Sequence, residues 1–203
     1  MTLILKHILL ITFVITAFCG CSQTNKNNLI KNTEDKMNQA NEKIYGIEGQ
    51  SAPNWNVPIW IDANGEKTNE VKLSDYKGKF KVVYCFQSWC PGCHSVGLPS
   101  LKKMVDALKD NNKVAFVAIQ TVFEGKNANT FEKLKETQKK YELKIPFGQD
   151  NGNNATNGIS AIMYNYHTGG TPWFIFIDEN DNVIFNDFHV NTEGAINFLK
   201  TIK

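Results

Sequence analysis

From residue 51 onward, apolar residues fall into short runs separated by polar stretches of helical character. Phe80–Phe86 (Phe-Lys-Val-Val-Tyr-Cys-Phe) and residues 114–119 are nearly continuous apolar runs, as in strands buried on both faces. Between them, residues 91–108 set Val96, Leu101, Met104, Val105 and Leu108 at helical spacing. The Lys/Glu-rich residues 128–141 predict a second helix, the Gly/Asn-rich residues 148–154 a loop, and residues 160–166 a short helix. Trp173–Ile177 and residues 183–188 predict two strands joined by a turn, and residues 192–202 a closing amphipathic helix capped by Thr192. Ahead of all these, residues 57–61 read as a strand, Asp62-Ala63-Asn64-Gly65 as a turn, and residues 71–73 as a short return strand. This order predicts an α/β sandwich: a central mixed β-sheet flanked by helices, with an N-terminal β-hairpin.

The first fifty residues follow different rules. Lys6 and His7 precede an apolar run over residues 8–18, shorter than the roughly 20 residues a membrane-spanning helix needs. A charged start, an apolar middle and a small-residue end predict a secretory signal over residues 1–20. Its end, Phe18-Cys19-Gly20-Cys21, resembles a bacterial lipoprotein signal, which implies lipidation at Cys21. Ordinary cleavage without a lipid, or an uncleaved anchor, would equally place the rest of the chain outside the cytoplasm. Residues 21–50 are Asn- and Lys-rich with few large apolar side chains, and predict a solvated tether. An extra docking helix over residues 31–43 is the other reading of that segment. The globular domain is expected over residues 51–203.

A net charge of +2 is too balanced for a polybasic or polyacidic partner surface. Every basic residue is Lys, so the bidentate guanidinium fork that reads bases and phosphates is missing. Nucleic acid is therefore not an expected partner. Five cysteines are too few for a disulfide-built scaffold at 203 residues. Cys85, inside the apolar run, is expected to be buried and inert.

The chemistry sits at Trp89-Cys90-Pro91-Gly92-Cys93. Two cysteines three apart, after a buried strand and opening a helix, can close a disulfide across one turn. Unpaired N–H groups and the macrodipole at a helix N-terminus favour the thiolate of the first, Cys90. Cys93, one turn further in, is placed to attack a mixed disulfide and release product. Pro91 suits the first helical position, where its missing N–H costs nothing. Three other readings compete. A zinc site would need a second Cys/His pair, and His167 and His189 are isolated. Cys90-x-x-Cys93-His94 also matches the attachment signature of a c-type haem, but that motif is not normally set between a buried strand and a helix. A purely structural disulfide would close so small a loop that it constrains little chain.

From residue 71 to the end, the chain resembles the thioredoxin-like superfamily, specifically its extracytoplasmic TlpA/ResA-like thiol–disulfide oxidoreductases. The resemblance is carried by Leu73-Ser74-Asp75-Tyr76-Lys77-Gly78-Lys79, by Phe86-Gln87-Ser88-Trp89-Cys90-Pro91-Gly92-Cys93, and by Gly169-Gly170-Thr171-Pro172-Trp173-Phe174-Ile175-Phe176-Ile177-Asp178. It implies a cis bond before Pro172, placed beside the two cysteines to keep metals off the dithiol. Thr171 would then offer its backbone to an extended substrate. The long interval between Cys93 and Pro172 implies an inserted strand–helix unit. Also implied are protein thiol or disulfide substrates, a reductase role recharged by a membrane electron donor, and no cofactor beyond the redox-active Cys90–Cys93 disulfide. Thioredoxins bury an acid in the strand before the motif; Tyr84 stands there in this chain, and residues 95–97 hold no Glu. Glu124 and His94 are the candidate proton carriers that remain. Trp89 is expected beside the site as part of a docking patch, with Tyr164 and Tyr166 as further candidates for that groove, and Trp173, Phe174 and Phe176 in the core. A peroxiredoxin-like peroxidase is the nearest enzymatic alternative, but Gln87-Ser88-Trp89 lacks the Pro and Thr that precede a peroxidatic Cys.

Overall fold

The computed structural model describes residues 45–203, and Tyr45–Lys203 forms one structural unit. The signal expected over residues 1–20, Cys21 and the tether as far as residue 44 lie outside the described residues. In chain order the elements are β1 (Ile59–Ile61), β2 (Lys67–Thr68), β3 (Phe80–Phe86), α1 (Leu98–Ala107) and β4 (Val114–Thr121), then α2 (Phe131–Lys140), β5 (Phe147–Asp150), α3 (Ala161–Tyr166), β6 (Trp173–Ile177), β7 (Val183–Asp187) and α4 (Thr192–Leu199). The strands make one seven-stranded sheet in the order β2-β1-β5-β4-β3-β6-β7. β3, β4 and β5 are parallel, and all other pairings are antiparallel. The α/β sandwich with a central mixed sheet, read from the apolar runs, is the fold observed.

β3 is central and buried along its whole length, which is why its run is almost uninterrupted. Alternate residues face opposite layers. Val82, Tyr84 and Phe86 join Leu98, Leu101, Met104 and Phe174 in one core; Val83 and Cys85 join Trp55, Trp60, Trp173 and Ile175 in the other. The polar member, Lys81, is 1% exposed, and its ammonium pairs with Asp181 and donates to the Asp178 carbonyl at 2.8 Å. A buried charge persists only where its partners are supplied in this way. Here they come from the turn between β6 and β7.

Several expectations are corrected. The return strand is Lys67–Thr68, and Leu73–Tyr76 forms a 3-10 turn instead of a strand. Residues 148–150, expected in a loop, belong to β5, which is hydrogen-bonded between β1 and β4 and wholly buried. β5 looks polar because its side chains are consumed internally: Gln149 donates to the Asn129 carbonyl at 2.9 Å, and Asp150 accepts from Ser160 Oγ at 2.6 Å and the Ile162 amide at 2.9 Å. Gly148 lets Trp60 and Val57 pack close, since a Cβ would stand 3.0 Å from both side chains. With α2, β5 accounts for the long interval between Cys93 and Pro172. The last helix is capped by Asn191, which accepts from the Gly194 amide, and not by Thr192, its first residue. Residues 45–50 already pack on the sheet: Ile47 is buried, the Gly49 amide donates to the Val183 carbonyl at 2.8 Å, and the Val183 amide donates to the Gln50 carbonyl at 2.9 Å. Among the described residues no helix is long and apolar enough to cross a membrane.

Candidate active site

The chain leaves the C-terminal end of β3 through Gln87-Ser88-Trp89 and turns at once into helix. That turn is fixed from below: the Ser88 amide donates to Asn129 Oδ1 at 2.8 Å, Gln87 Nε2 to the Thr121 carbonyl at 3.1 Å, and the Cys90 amide to the Gln87 carbonyl at 3.1 Å. Pro91 and Gly92 are helical, and Cys93–Gly97 widens into a π-helical turn in which the Leu98 amide bonds to the Cys93 carbonyl. Such bulges frequently occur at functional positions. The widened turn lies against Tyr84 and Pro172. A Cβ on Gly97 would stand 2.1 Å from the Tyr84 hydroxyl oxygen and 2.8 Å from Pro172 Cβ, and one on Gly92 would stand 3.3 Å from Pro172 Cδ. The Thr171–Pro172 bond is cis. Cys90, Pro91, Gly92, Cys93, Thr171 and Pro172, far apart in sequence, thus meet at one corner of the sheet.

Both cysteines are free thiols, and they are unequal. Cys90 retains 7% exposure and Cys93 none. The Cys93 amide donates to Cys90 Sγ at 3.2 Å, and the Cys90 thiol lies 3.5 Å from the Thr171 carbonyl oxygen. Burial, then the hydrogen bond with the Cys90 side chain, pushes the Cys93 thiol up to about 12; the Gln87 backbone and the Thr171 side chain pull the other way. At neutral pH Cys93 is therefore a protonated, enclosed thiol, and Cys90 is the sulfur that a partner can reach. Trp89, 46% exposed, and Val96, 58% exposed, lie beside it in the sequence as uncovered apolar surface.

Neither candidate proton carrier is hydrogen-bonded to a sulfur of the pair. Glu124 is exposed in a loop, and its carbonyl accepts from Asn129 Nδ2 at 3.1 Å. His94 has both ring nitrogens engaged: Nε2 donates to the Ser88 carbonyl at 2.7 Å, and Nδ1 meets the Tyr141 hydroxyl at 2.9 Å. That ring is a brace between the turn before Cys90 and the end of α2. The same engagement leaves no ring nitrogen free for the haem iron that Cys90-x-x-Cys93-His94 suggested. Tyr166 belongs to the core and not to a groove, its hydroxyl donating to the Pro53 carbonyl at 2.5 Å, whereas Tyr164 is 54% exposed. Trp173, Phe174 and Phe176 are core residues.

Four contributors escaped the sequence: Gly97, Tyr141, Ser88 and the hydroxyl of Tyr84. A glycine inside a helical stretch just after the motif was the one available signal, since such a residue costs helix stability unless something packs against it.

Comparison with known proteins agrees with this geometry. The AhpC/TSA family model matches residues 48–186, more than half of the chain. The chain belongs to the AhpC/TSA family. Among solved structures, this AhpC/TSA protein is similar to a thioredoxin-like superfamily protein, with a TM-score of 0.65 and 29% identity over 76% of this chain and 96% of that one. It is also similar to a thiol-disulfide isomerase from Corynebacterium glutamicum, with a TM-score of 0.62 and 26% identity over 74% and 96% of the two chains. The thioredoxin domain of a thiol-disulfide oxidoreductase from Bacteroides vulgatus shares the fold, with a TM-score of 0.56 and 19% identity over 77% and 99%. No curated protein sequence matches the chain. The fold is thioredoxin-like, and the protein is an oxidoreductase of that type.

Proposed function

We propose that this AhpC/TSA-family oxidoreductase is a reductase of protein disulfides, using the Cys90–Cys93 dithiol, with no further cofactor. In the first step the Cys90 thiolate attacks a substrate disulfide, forming a Cys90–substrate mixed disulfide and expelling one substrate thiolate, which takes up a proton. In the second, Cys93 gives up its proton and attacks Cys90 Sγ. The Cys90–Cys93 disulfide forms, the second substrate thiolate leaves and is protonated, and two electrons have passed to the substrate. A membrane electron donor would then return the pair to the dithiol. The observation that carries this reading is the asymmetry of the sulfurs: one reachable, one enclosed, in one turn of helix beside the Thr171 carbonyl. That carbonyl belongs to the loop entering β6, where an extended substrate segment could pair its backbone, and Trp89 and Val96 offer apolar surface for its side chains.

The expected result is reduction of a test disulfide such as insulin by the wild type, none by Cys90→Ala, and a persistent mixed disulfide with Cys93→Ala. A Cys90→Ala variant as active as the wild type would sink the proposal, as would hydroperoxide consumption in the absence of disulfide exchange. The direction is tested by the reduction potential of the pair: a value near the thioredoxin end of the range, about −270 mV, supports a reductase, and one near the oxidant end, about −120 mV, overturns it. The proposed location is the outer side of a bacterial membrane, facing the periplasm, held by lipid on Cys21. It rests on the residue pattern at Phe18-Cys19-Gly20-Cys21. Labelled fatty acid should enter the full chain and be lost in Cys21→Ala.

A further inference from the structure

Tyr84 occupies the heart of the site without a part in the reaction as written. Its ring is fully buried, stacked on Phe86 at 6.0 Å between centroids and tilted against Phe174 at 4.8 Å. Packing of that kind would be served equally by Phe, so the hydroxyl needs its own explanation. It lies 3.4 Å from the Cys93 carbonyl oxygen, the same carbonyl that receives the Leu98 amide across the widened turn. Gly97 leaves the space the hydroxyl fills, since a Cβ there would be 2.1 Å away. Burial, followed by the charge of the nearby Cys93 thiol, holds this hydroxyl far above the ordinary tyrosine range. It is thus a neutral O–H at any pH where the protein works, able to donate and unable to serve as a base.

Other groups near Cys93 act on its thiol as well. The Gln87 backbone and the Thr171 side chain favour its thiolate, while Cys90 disfavours it. Tyr141 and Cys85 are the other titratable groups that feel its charge, and both are protonated thiol or phenol groups pushed up by burial and not carboxylates. His94, next in the chain, is held by Ser88 and Tyr141. None of the leading causes that shift the Cys93 thiol is a carboxylate.

We propose that Tyr84 is a catalytic hydrogen-bond donor: its hydroxyl, shared in the resting dithiol with the Cys93 carbonyl, bonds the Cys93 thiolate as it forms and attacks the mixed disulfide. This rests on the dithiol reading above and refines its second step. Tyr84 carries no proton away. The proton lost by Cys93 goes to the departing substrate thiolate, so the step balances without an added acid or base. The carbonyl bond, long at 3.4 Å, gives way readily because the Leu98 amide still satisfies that oxygen.

The variant is Tyr84→Phe, which keeps the ring and its packing. Full-length wild type and variant, both reduced, are mixed with a peptide disulfide under single turnover, acid-quenched, and followed by mass spectrometry of the mixed disulfide across pH. A hydrogen bond to a charged group supports the expectation that resolution slows roughly tenfold in the variant. The pH profile of that step should move upward while formation of the mixed disulfide keeps its rate. An unchanged second step and profile would overturn the inference. So would equal slowing of both steps with an unshifted profile, because that is the mark of a merely structural tyrosine. If wild type forms no mixed disulfide at all, the dithiol reading falls and this inference with it.

Discussion

Cys85 and Cys93 are both fully buried free thiols, and burial is the leading cause that raises each. They differ in the layer of the sandwich they face. Cys85 looks into the core of Trp55, Trp60, Val83 and Ile175, a packed apolar layer in which it fills space. Cys93 looks into the layer that meets the Thr171–Pro172 corner, where a second sulfur accepts from the Cys93 amide and the Gln87 backbone and Thr171 side chain favour the Cys93 thiolate. Burial makes a thiol quiet in both places. On the proposed function, Cys93 would differ through a neighbour it can bond to covalently and through the Gln87 and Thr171 groups that favour its thiolate. In the second layer there is no room beside the motif: Gly97 is wedged between Tyr84 and Pro172.

The sharpest way to break the comparison is Cys93→Ala. If the partner sulfur is what matters, turnover of a protein disulfide should fall by about a thousandfold or more, while Cys90 still captures substrate as an adduct visible by mass spectrometry. Retained turnover would make Cys93 no different in kind from Cys85. Next comes Gly97→Ala. A methyl 2.1 Å from the Tyr84 hydroxyl oxygen and 2.8 Å from Pro172 Cβ cannot be accommodated without movement. Overpacking of this kind costs about 1–3 kcal/mol, read as a lower urea midpoint, and the exchange rate should drop with it. Combining it with Tyr84→Phe should recover part of the stability loss, because the shortest of the three clashes, with the hydroxyl oxygen, disappears while those with ring Cζ at 2.9 Å and Pro172 Cβ at 2.8 Å remain. Strict additivity would show that Tyr84 and Gly97 are not coupled.

A smaller effect is expected at the brace. Tyr141→Phe removes the hydroxyl that meets His94 Nδ1 at 2.9 Å and donates to the His94 carbonyl at 3.1 Å, leaving Nε2 on the Ser88 carbonyl. Loss of one such bond costs about 1 kcal/mol, and the exchange rate should fall only a few-fold. A hundredfold loss would mean that His94 does more than hold the turn before Cys90.

These residues also mark where the sequence stopped being legible. Phe80–Phe86 and Trp173–Ile177 could be bounded from the chain alone, because a central strand must be apolar on both faces. Cys90, Cys93, Thr171 and Pro172 announced themselves by spacing and neighbours. β5 was hidden because Gln149 and Asp150 are buried through hydrogen bonds to Asn129, Ser160 and Ile162, and no local pattern encodes partners so far along the chain. The place of Tyr84 was visible as a missing acid, but not its use. That depends on Gly97 standing opposite it across a widened turn, a fact of packing between strand and helix. His94 was legible as a titratable group near the motif but not as a brace, since its partner Tyr141 stands 47 residues further along the chain.

The smallest functional effect belongs to Cys85→Ala, and it tests the other half of the comparison. Exchange should be unchanged within about a factor of two. Removing a buried sulfur leaves a small void costing about 1 kcal/mol, well below the penalty at Gly97. The pH dependence should change as well. The folded-state pKa of Cys85 lies well above the thiol's ordinary 9.0, so well below pH 9 the group is protonated in folded and unfolded chains alike. Above pH 9 only the unfolded chain releases this proton, so the unfolded state binds fewer protons and stability falls as pH rises. One such thiol contributes up to about 1.4 kcal/mol per pH unit to that fall. Between pH 9 and 10 the unfolded thiol passes from about half to about nine-tenths ionised, so Cys85→Ala should flatten the decline by about 1 kcal/mol; the smaller contribution of unfolded tyrosines is common to wild type and variant. Cys93→Ala should flatten it too, because its thiol is also raised, to about 12. If only Cys93→Ala flattened the curve, Cys85 would not be held as a neutral thiol in the opposite layer, and the likeness from which the contrast between the two layers starts would be lost.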